Sequence, residues 1–323
     1  MKTILILALD GIMDSSLAIA RDIFNTGRAF LAKSGKPHEV RIITAGYSKT
    51  LRTGAGLRLS ADITFKQVLE SGMRPDWVVI PGGGLINGPE IGARLEQKDA
   101  LDLIRLLQQI DNGKVRIAAA CSSVFLLAQS GLLAGRDATT TWWLAHLFRA
   151  RFPDIKLDET RMLVSDGPYL TAGAAFSQLD LALSIVADTM GNAIAHLCTR
   201  YMLIDERPSQ ARYMIQTHIR DIDPTVVAAE RWIDEHLSEP ISVAELSSQL
   251  AVSPKTLTRR LLGATGISPI KFIQRRRLMR ASHLIETTSQ SIEAIAAQVG
   301  YQDGTALRKL IKREFGVTPS AMR

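Results

Sequence analysis

Two stretches in the last quarter of the chain repeat each other, and this duplication restricts the fold more than any other feature. Ser242-Val-Ala-Glu-Leu-Ser-Ser-Gln-Leu-Ala251 superposes on Ser291-Ile-Glu-Ala-Ile-Ala-Ala-Gln-Val-Gly300 at an offset of 49. Leu257, Arg259, Leu261, Gly266 and Pro269 then match Leu307, Lys309, Ile311, Gly316 and Pro319 at an offset of 50. One residue has been added in the turn of the second copy. Each copy reads as a short helix opened by a serine N-cap, a tight turn, and a second amphipathic helix, which is a helix-turn-helix. No strand-like alternation occurs beyond Asp223-Pro224, an N-cap followed by proline at the first helical position, so this part of the chain is expected to be all-helical.

The segment between the copies opens with Ser268-Pro269 and carries apolar Ile270, Ile273, Leu278, Ala281 and Leu284 to about Glu286. A helix of that length spans roughly 28 Å, close to the ~34 Å of one turn of B-DNA, so two recognition helices can reach successive major-groove segments on one face of a duplex. Its Arg275, Arg276, Arg277 and Arg280 can contact phosphates or solvate an exposed face. Charge supports a polyanionic partner. Residues 240–323 hold 13 Lys+Arg against 5 Asp+Glu, a net of +8, while residues 1–239 hold 26 against 27, a net of −1.

Upstream the texture is different. Apolar runs at Thr3 to Leu9, Val40 to Thr44, Trp77 to Ile80 and Val115 to Ala120 alternate with helical patterns at Ser15 to Lys33, Pro89 to Asn112 and Ser122 to Gln129. Such alternation indicates a parallel sheet covered on both faces. Arg161 to Ser165, Tyr169 to Thr171 and the long pattern Ala175 to Tyr201 complete the domain. The organisation expected is a domain over 1–205, a polar linker over 206–225 and a helical domain over 226–323. The run Ile4 to Leu9 is too short for a signal sequence and no stretch approaches the ~20 apolar residues of a membrane span, so a cytoplasmic protein without membrane contact is expected. Cys121 and Cys198 form neither a disulfide framework nor a metal-ligand spacing, and no metal or cofactor is implied.

The C-terminal stretch resembles the AraC/XylS family of transcription regulators through Ile241-Ser-Val-Ala-Glu-Leu, Ser253-Pro-Lys-Thr-Leu-Thr-Arg-Arg, Gly266-Ile-Ser-Pro, Arg277-Leu-Met-Arg-Ala, Ile292-Glu-Ala-Ile-Ala, Val299-Gly-Tyr and Phe315-Gly-Val-Thr-Pro. The resemblance implies that base edges of double-stranded DNA are read by the outward residues at the start of each second helix. These are Lys255, Thr256, Thr258 and Arg259 in the first unit and Thr305, Arg308 and Lys309 in the second. Periodicity agrees, since Leu257, Leu261, Leu307 and Ile311 fall on the opposite side. The first copy has Gly263 inside its second helix, a destabilising choice of ~1 kcal/mol. In the second, Asp303 is placed to cap the recognition helix.

The N-terminal domain resembles the ThiJ/PfpI group of class I glutamine amidotransferase-like proteins. The motifs are Leu7-Ala-Leu-Asp-Gly-Ile-Met-Asp14, Val79-Ile-Pro-Gly-Gly-Gly84, Ile117-Ala-Ala-Ala-Cys-Ser-Ser-Val-Phe-Leu-Leu-Ala128 and Gly131-Leu-Leu-Ala-Gly-Arg-Asp-Ala-Thr-Thr140. The fold implied is a flavodoxin-like, doubly wound parallel sheet, and the whole chain is similar to GlxA-type AraC regulators. Cys121 would occupy a nucleophile elbow. Where the group's motif Ala-Thr-Thr-His-Trp has its histidine, however, this chain has Thr141, and a hydroxyl cannot serve as a general base near neutral pH. Ser123 replaces the usual glycine after the nucleophile. His146 lies one helical turn further on.

The site therefore reads as a pocket without a catalyst, formed by Asp14, Gly83, Gly84, Cys121, Ser122, Thr141 and Trp142. Within it Asp14 meets a ligand cation or caps a helix; Gly82-Gly83-Gly84 offers N–H groups or makes a turn; Cys121 lines the pocket or is a small buried hydrophobe. Trp142 and Trp143 form an aromatic wall for an amine, amino acid or betaine, or pack in the core. The leading expectation is a small-molecule-responsive, homodimeric transcription regulator that is not an enzyme. A cysteine-dependent hydrolase or glyoxalase-like enzyme fused to a DNA-binding domain is the alternative, and an architectural DNA binder the third reading.

Overall fold

The computed structural model describes residues 1–35, 39–205, 207, 209–214 and 223–323. Two compact units divide the chain, residues 1–207 and 208–323. No helix among the described residues is long and apolar enough to cross a membrane.

The first unit is built on eleven strands: β1 Lys2–Ala8, β2 Val40–Gly46, β3 Thr50–Arg52, β4 Arg58–Ser60, β5 Ile63–Thr64, β6 Trp77–Ile80, β7 Arg116–Ala120, β8 Asp137–Ala138, β9 Lys156–Leu157, β10 Leu163–Asp166 and β11 Tyr169–Ala172. Seven form one sheet in the order β10-β11-β7-β6-β1-β2-β5, parallel throughout except for β10. The exception has a local cause: Gly167, at φ +59°, turns the chain between β10 and β11 into a hairpin.

Among the described residues, eight α-helices belong to this unit: α1 Asp14–Lys33, α2 Phe65–Glu70, α3 Gly88–Glu96, α4 Lys98–Ile110, α5 Val124–Gln129, α6 Ala145–Arg151, α7 Ser177–Met190 and α8 Asn192–Tyr201. The pleat sorts the core into two layers. Leu5, Leu7, Val78, Ile80, Ile117 and Ala119 face the core of α3, α4 and α5. Ile4, Ile6, Ala8, Val79, Ala118 and Ala120 face that of α1, α7 and α8. Buried on both faces, these strands read as unbroken apolar runs.

Two long helical patterns in the sequence are each divided. Residues 89–112 split at Gln97, which leaves the helical region at ψ 145°, and residues 175–201 split at Gly191, at φ +100°. The apolar spacing continues across both breaks because the flanking helices bury the same side. The β3–β4 hairpin was not expected. It is short and mostly exposed, and it is held by Asp10 Oδ1 accepting from Arg52 N at 2.7 Å and by Asp14 Oδ1 accepting from Ala55 N at 3.2 Å.

The second unit contains α9 Pro224–Glu235, α10 Val243–Gln249, α11 Pro254–Thr265, α12 Pro269–Thr287, α13 Ile292–Gln298, α14 Gly304–Phe315 and α15 Pro319–Met322. The repeat appears as α10–α11 and α13–α14, with α12 between them. Ser242, Ser253, Ser268, Ser291 and Asp303 each accept from the backbone N–H three residues on, which satisfies one orphan donor per helix. Leu246, Leu257 and Leu261 pack with Val226 and Ile233 of α9 and with Ile273. Ile270, read as part of the apolar face, is instead 70% exposed. Of the stretch read as a linker, Glu206, Pro208 and residues 215–222 lie outside the described residues; Ser209 Oγ donates to Glu314 O at 3.2 Å within the second unit.

The turn inside each copy requires a left-handed residue, which is Ala251 at φ +52° in the first and Gly300 at φ +77° in the second. A Cβ on Gly300 would lie 2.3 Å from Leu237 O and 2.8 Å from the Arg277 guanidinium. Denaturant unfolding should therefore show Gly300→Ala destabilising by at least ~2 kcal/mol and Ala251→Gly stabilising by about 0.5–1 kcal/mol. Equal and opposite small effects would mean that the close approach at Gly300 is absent.

Candidate functional site

The elbow stands at the carboxyl end of β7. Cys121 has φ +57°, a left-handed conformation rare for a residue with a side chain, and it is fully buried on the α1/α7 side of the sheet. Its N–H donates to Gly173 O and its carbonyl accepts from Thr140 Oγ1, both at 2.9 Å. Burial pushes the thiol up, while hydrogen bonds from the Ser122 and Gly84 backbone and from the Ser122 hydroxyl pull the other way. Beside it, the Gly82 backbone comes so close that a Cβ there would lie 2.8 Å from Cys121 Cβ and 2.9 Å from Ser16 Oγ.

Thr141 is fully buried, and its hydroxyl has no hydrogen-bond partner among the described residues. Ser16 Oγ and both amide atoms of Gln178 are buried and unpartnered as well. The sequence reading missed these last two, and only their position in the first turns of α1 and α7, facing the elbow's core layer, marks them. Trp142 is buried and meets Trp143 edge to face at 5.3 Å. Asp14, the first residue of α1, holds the β3–β4 hairpin and does not cap the helix.

A cavity of about 300 Å³ opens next to the elbow but on the other face of the sheet. Leu7, Leu9, Ile80, Ile91, Leu95 and Phe125 line it, all members of the α3–α5 core. Of the residues expected to form a pocket, Gly83 and Ser122 contribute to its wall, whereas Asp14, Gly84, Cys121, Thr141 and Trp142 do not. Ser122 Oγ accepts from Leu85 N at 3.2 Å, and Ser123 Oγ donates to Pro81 O at 2.7 Å.

In the second unit, Lys255 and Arg259 are exposed on α11 and make no hydrogen bond or ion pair among the described residues. With Pro254, Thr256, Thr258 and Leu262 they line one shallow concavity. Thr256 Oγ1 lies 2.9 Å from the cap Ser253 Oγ, and Thr258 Oγ1 donates back to Pro254 O at 2.8 Å. On α14, Thr305 and Lys309 are exposed, and Arg308 donates to Glu293 Oε1 of α13 at 2.7 Å. The concavity there adds Lys312, Ser320 and Arg323, which the sequence reading did not include.

Three arginines of α12 are not free cations. Arg276 pairs with Glu230 at 3.4 Å and with Asp234, Arg277 donates to the carbonyls of Gly300 and Glu239, and Arg275 lies 3.8 Å from Glu314. The reading of these side chains as phosphate contacts or a solvated face is thereby corrected for Arg275, Arg276 and Arg277. They hold α12 against α9, α14 and the turn at Gly300.

Comparison with known proteins gives two family matches, the DJ-1/PfpI family over residues 2–188 and a helix-turn-helix domain over residues 246–323. The chain is 24% identical over 224 residues to the HTH-type transcriptional regulator CdhR of Pseudomonas aeruginosa, covering 68% of this chain and 66% of that protein. It is likewise 24% identical over 220 residues to the HTH-type transcriptional regulator GlxA of Rhizobium meliloti, covering 67% and 68%. The C-terminal part alone is 34% identical over 92 residues to the HTH-type transcriptional activator RhaS of Escherichia fergusonii, 28% of this chain and 33% of that one. The match thus spans just under two thirds of CdhR's length. Among solved structures, DJ-1beta of Drosophila melanogaster superposes with a TM-score of 0.50 at 20% identity, covering 64% of this chain and 99% of that one. The first unit has the flavodoxin-like fold of that superfamily.

Two outcomes follow from this geometry. With its pKa raised and no exposed surface, Cys121 should stay unlabelled by iodoacetamide in the native chain at about pH 7.5, while the unfolded chain labels both cysteines. Rapid native labelling would restore a reactive nucleophile. Arg276→Ala should lower stability by about 3 kcal/mol, because it removes one guanidinium that pairs with both the buried Glu230 and Asp234. A variant as stable as the parent but weaker on every DNA sequence would return Arg276 to the phosphate contacts.

Proposed function

We propose, from the premise that the chain belongs to the DJ-1/PfpI family, that it is a sequence-specific, double-stranded-DNA-binding transcription regulator. A non-catalytic first domain would bind a small metabolite of amine, amino-acid or betaine type. The observation that carries the reading is the pair of capped helices α11 and α14, each with buried leucine or isoleucine on one side and, on the other, exposed cations beside threonines that are half-buried on α11 and exposed on α14. Lys255, Thr256, Thr258 and Arg259 are the proposed base readers of the first unit; Thr305, Arg308 and Lys309 are those of the second. Relatives named as transcriptional regulators over both parts of the chain support it.

A non-catalytic first domain is supported by Thr141, where the family motif has histidine, and by a thiol whose pKa is raised rather than lowered. The cysteine-dependent hydrolase remains the opposing reading. Turnover of an ester or α-oxoaldehyde that Cys121→Ala abolishes would establish it. The proposed working form is a cytoplasmic homodimer paired through the first domain, since a second pair of recognition helices in one assembly raises effective concentration and gains 10²–10⁴ in avidity on paired half-sites. Light scattering at tens of micromolar should return twice the monomer mass; a strict monomer would remove the dimer.

The central test is Arg259→Ala on a selected operator. It should cost about 1–3 kcal/mol there and relax discrimination at one position, with affinity falling steeply as salt rises. A uniform loss on all sequences, with no change in the preferred site, would take Arg259 out of base readout.

A further inference from the structure

The cavity on the α3–α5 face has a position, a wall and a rim that together select a class of occupant. The chain runs from β1 to β2 on one side and later returns to β6 on the other, so the order of strands reverses between β1 and β6. Open parallel sheets bind ligands in the crevice outside the carboxyl ends of their strands at such a switch point. Leu9, Asp10 and Gly11 after β1, and Pro81, Gly83 and Leu85 after β6, are part of this cavity's lining. At about 300 Å³ it stands at the small end of ligand pockets.

The polar groups on the wall are largely committed. Arg94 is clamped on Asp99 by two bonds of 3.0 and 2.6 Å and also holds Gln97. Glu90 accepts from Ile86 N at 2.9 Å and from Asn87 Nδ2 at 2.7 Å, and Asp10 accepts from Arg52 N at 2.7 Å. Two features remain for an occupant. The body of the cavity offers aliphatic and phenyl surface. The formal charges that line it and are not cancelled by an ion pair are the carboxylates of Asp10 and Glu90, since the positive charge of Arg94 is neutralised by Asp99. A carboxylate would meet like charge there; an ammonium would meet opposite charge in a partly desolvated mouth.

We infer that the effector site of the first domain is this cavity, on the opposite face of the sheet from the Cys121 thiol, and that it takes a small monocation with an apolar body and no carboxylate, an alkyl or aryl amine. The inference rests on the sensor reading of the first domain and narrows it: amino acids and betaines, which carry a carboxylate, are excluded. Ser122 forms wall for the cavity and hydrogen-bonds the thiol, but the thiol itself contributes nothing to binding.

Thermal unfolding of the full chain with n-hexylamine, n-hexanol or n-hexanoate at equal concentration tests this directly. The amine should raise the midpoint most and the carboxylate least, and a ligand at ten times its Kd raises the midpoint of a domain of this size by about 3–6 °C. Ala93→Phe, at an exposed position of α3 on the cavity lining, should abolish the shift without lowering the unliganded midpoint. Asp10→Asn keeps an acceptor for Arg52 N and removes one of the two carboxylates, so it should narrow the amine's lead over the alcohol without abolishing it, Glu90 remaining. Cys121→Ser should leave the amine shift unchanged. A shift that survives Ala93→Phe, a shift lost with Cys121→Ser in a chain that still folds, a preference for hexanoate, or no shift with any probe would each overturn the inference. DNA binding measured in parallel separates the two readings. Specific DNA binding without an amine shift rejects the amine site and leaves the regulator standing; an amine shift without specific DNA binding does the reverse.

Discussion

The carboxyl edge of the first sheet is fitted around one left-handed residue that carries a side chain. Cys121 at φ +57° is disfavoured by roughly 1–2 kcal/mol relative to glycine, and its surroundings hold it there. Its amide and carbonyl are both engaged, by Gly173 and Thr140. The loop after β6 then has to pass directly over the elbow. A Cβ on Gly82 would strike Cys121, one on Gly83 would lie 3.0 Å from Ser122 Oγ, and Gly84 takes φ +70°. The three consecutive glycines are therefore accounted for by close approach and backbone conformation. Met13 N, at the start of α1, donates to Gly82 O at 3.1 Å, so the same loop sets the entry of the first helix. The elbow, the glycine loop and the start of α1 form one interlocked unit in which none can move alone.

In the second unit the corresponding constraint is a set of ion pairs and arginine–carbonyl hydrogen bonds. Glu230 is buried on α9, and a lone carboxylate there would be costly without a partner. Arg276 reaches it from α12 and also takes Asp234, while Arg277 bonds two carbonyls where α9 and the second copy's turn come together. Part of the +8 charge of residues 240–323 is thus spent internally. Net charge still sets the long-range attraction to a polyanion, and Lys255 and Arg259 on α11 and Lys309 on α14 are exposed cations with no ion pair among the described residues.

Much of this was legible in the sequence because periodicity and caps are local. The strands, the capped helices and the repeat all rest on residues within one turn or one strand of each other. A parallel sheet covered by helices, followed by tandem helix-turn-helix units, could be read for that reason, whereas the flavodoxin-like fold was implied by the resemblance of the motifs. What could not be read depends on contacts distant in sequence. The roles of Arg275, Arg276 and Arg277 turn on Glu314, Glu230, Asp234, Glu239 and Gly300. Asp14 was expected at a ligand or a helix cap, and it binds the amide of Ala55, 41 residues away. The cavity was invisible for the same reason: its lining combines β1, β6, α3 and α5, and only the sheet order brings these together.

The two copies of the repeat show which of their parts are free to vary. Both need a left-handed residue in the turn, yet the first uses alanine and the second glycine. The difference lies in what surrounds the turn. At Gly300 the Leu237 carbonyl and the Arg277 guanidinium occupy the space a methyl group would need. That arginine is itself held by the carbonyls of Gly300 and Glu239, so hydrogen bonds from α12 fix the residue in this turn. The outward faces carry no such obligation. On α11, Lys255 and Arg259 are unpaired among the described residues, whereas on α14 Arg308 is held by Glu293 from the preceding helix. An exposed ion pair of this kind adds little stability, and its effect is to orient the guanidinium before any ligand arrives. The framework positions are constrained by packing and the outward ones only by what they meet, so the duplicated units can keep one fold while presenting different surfaces.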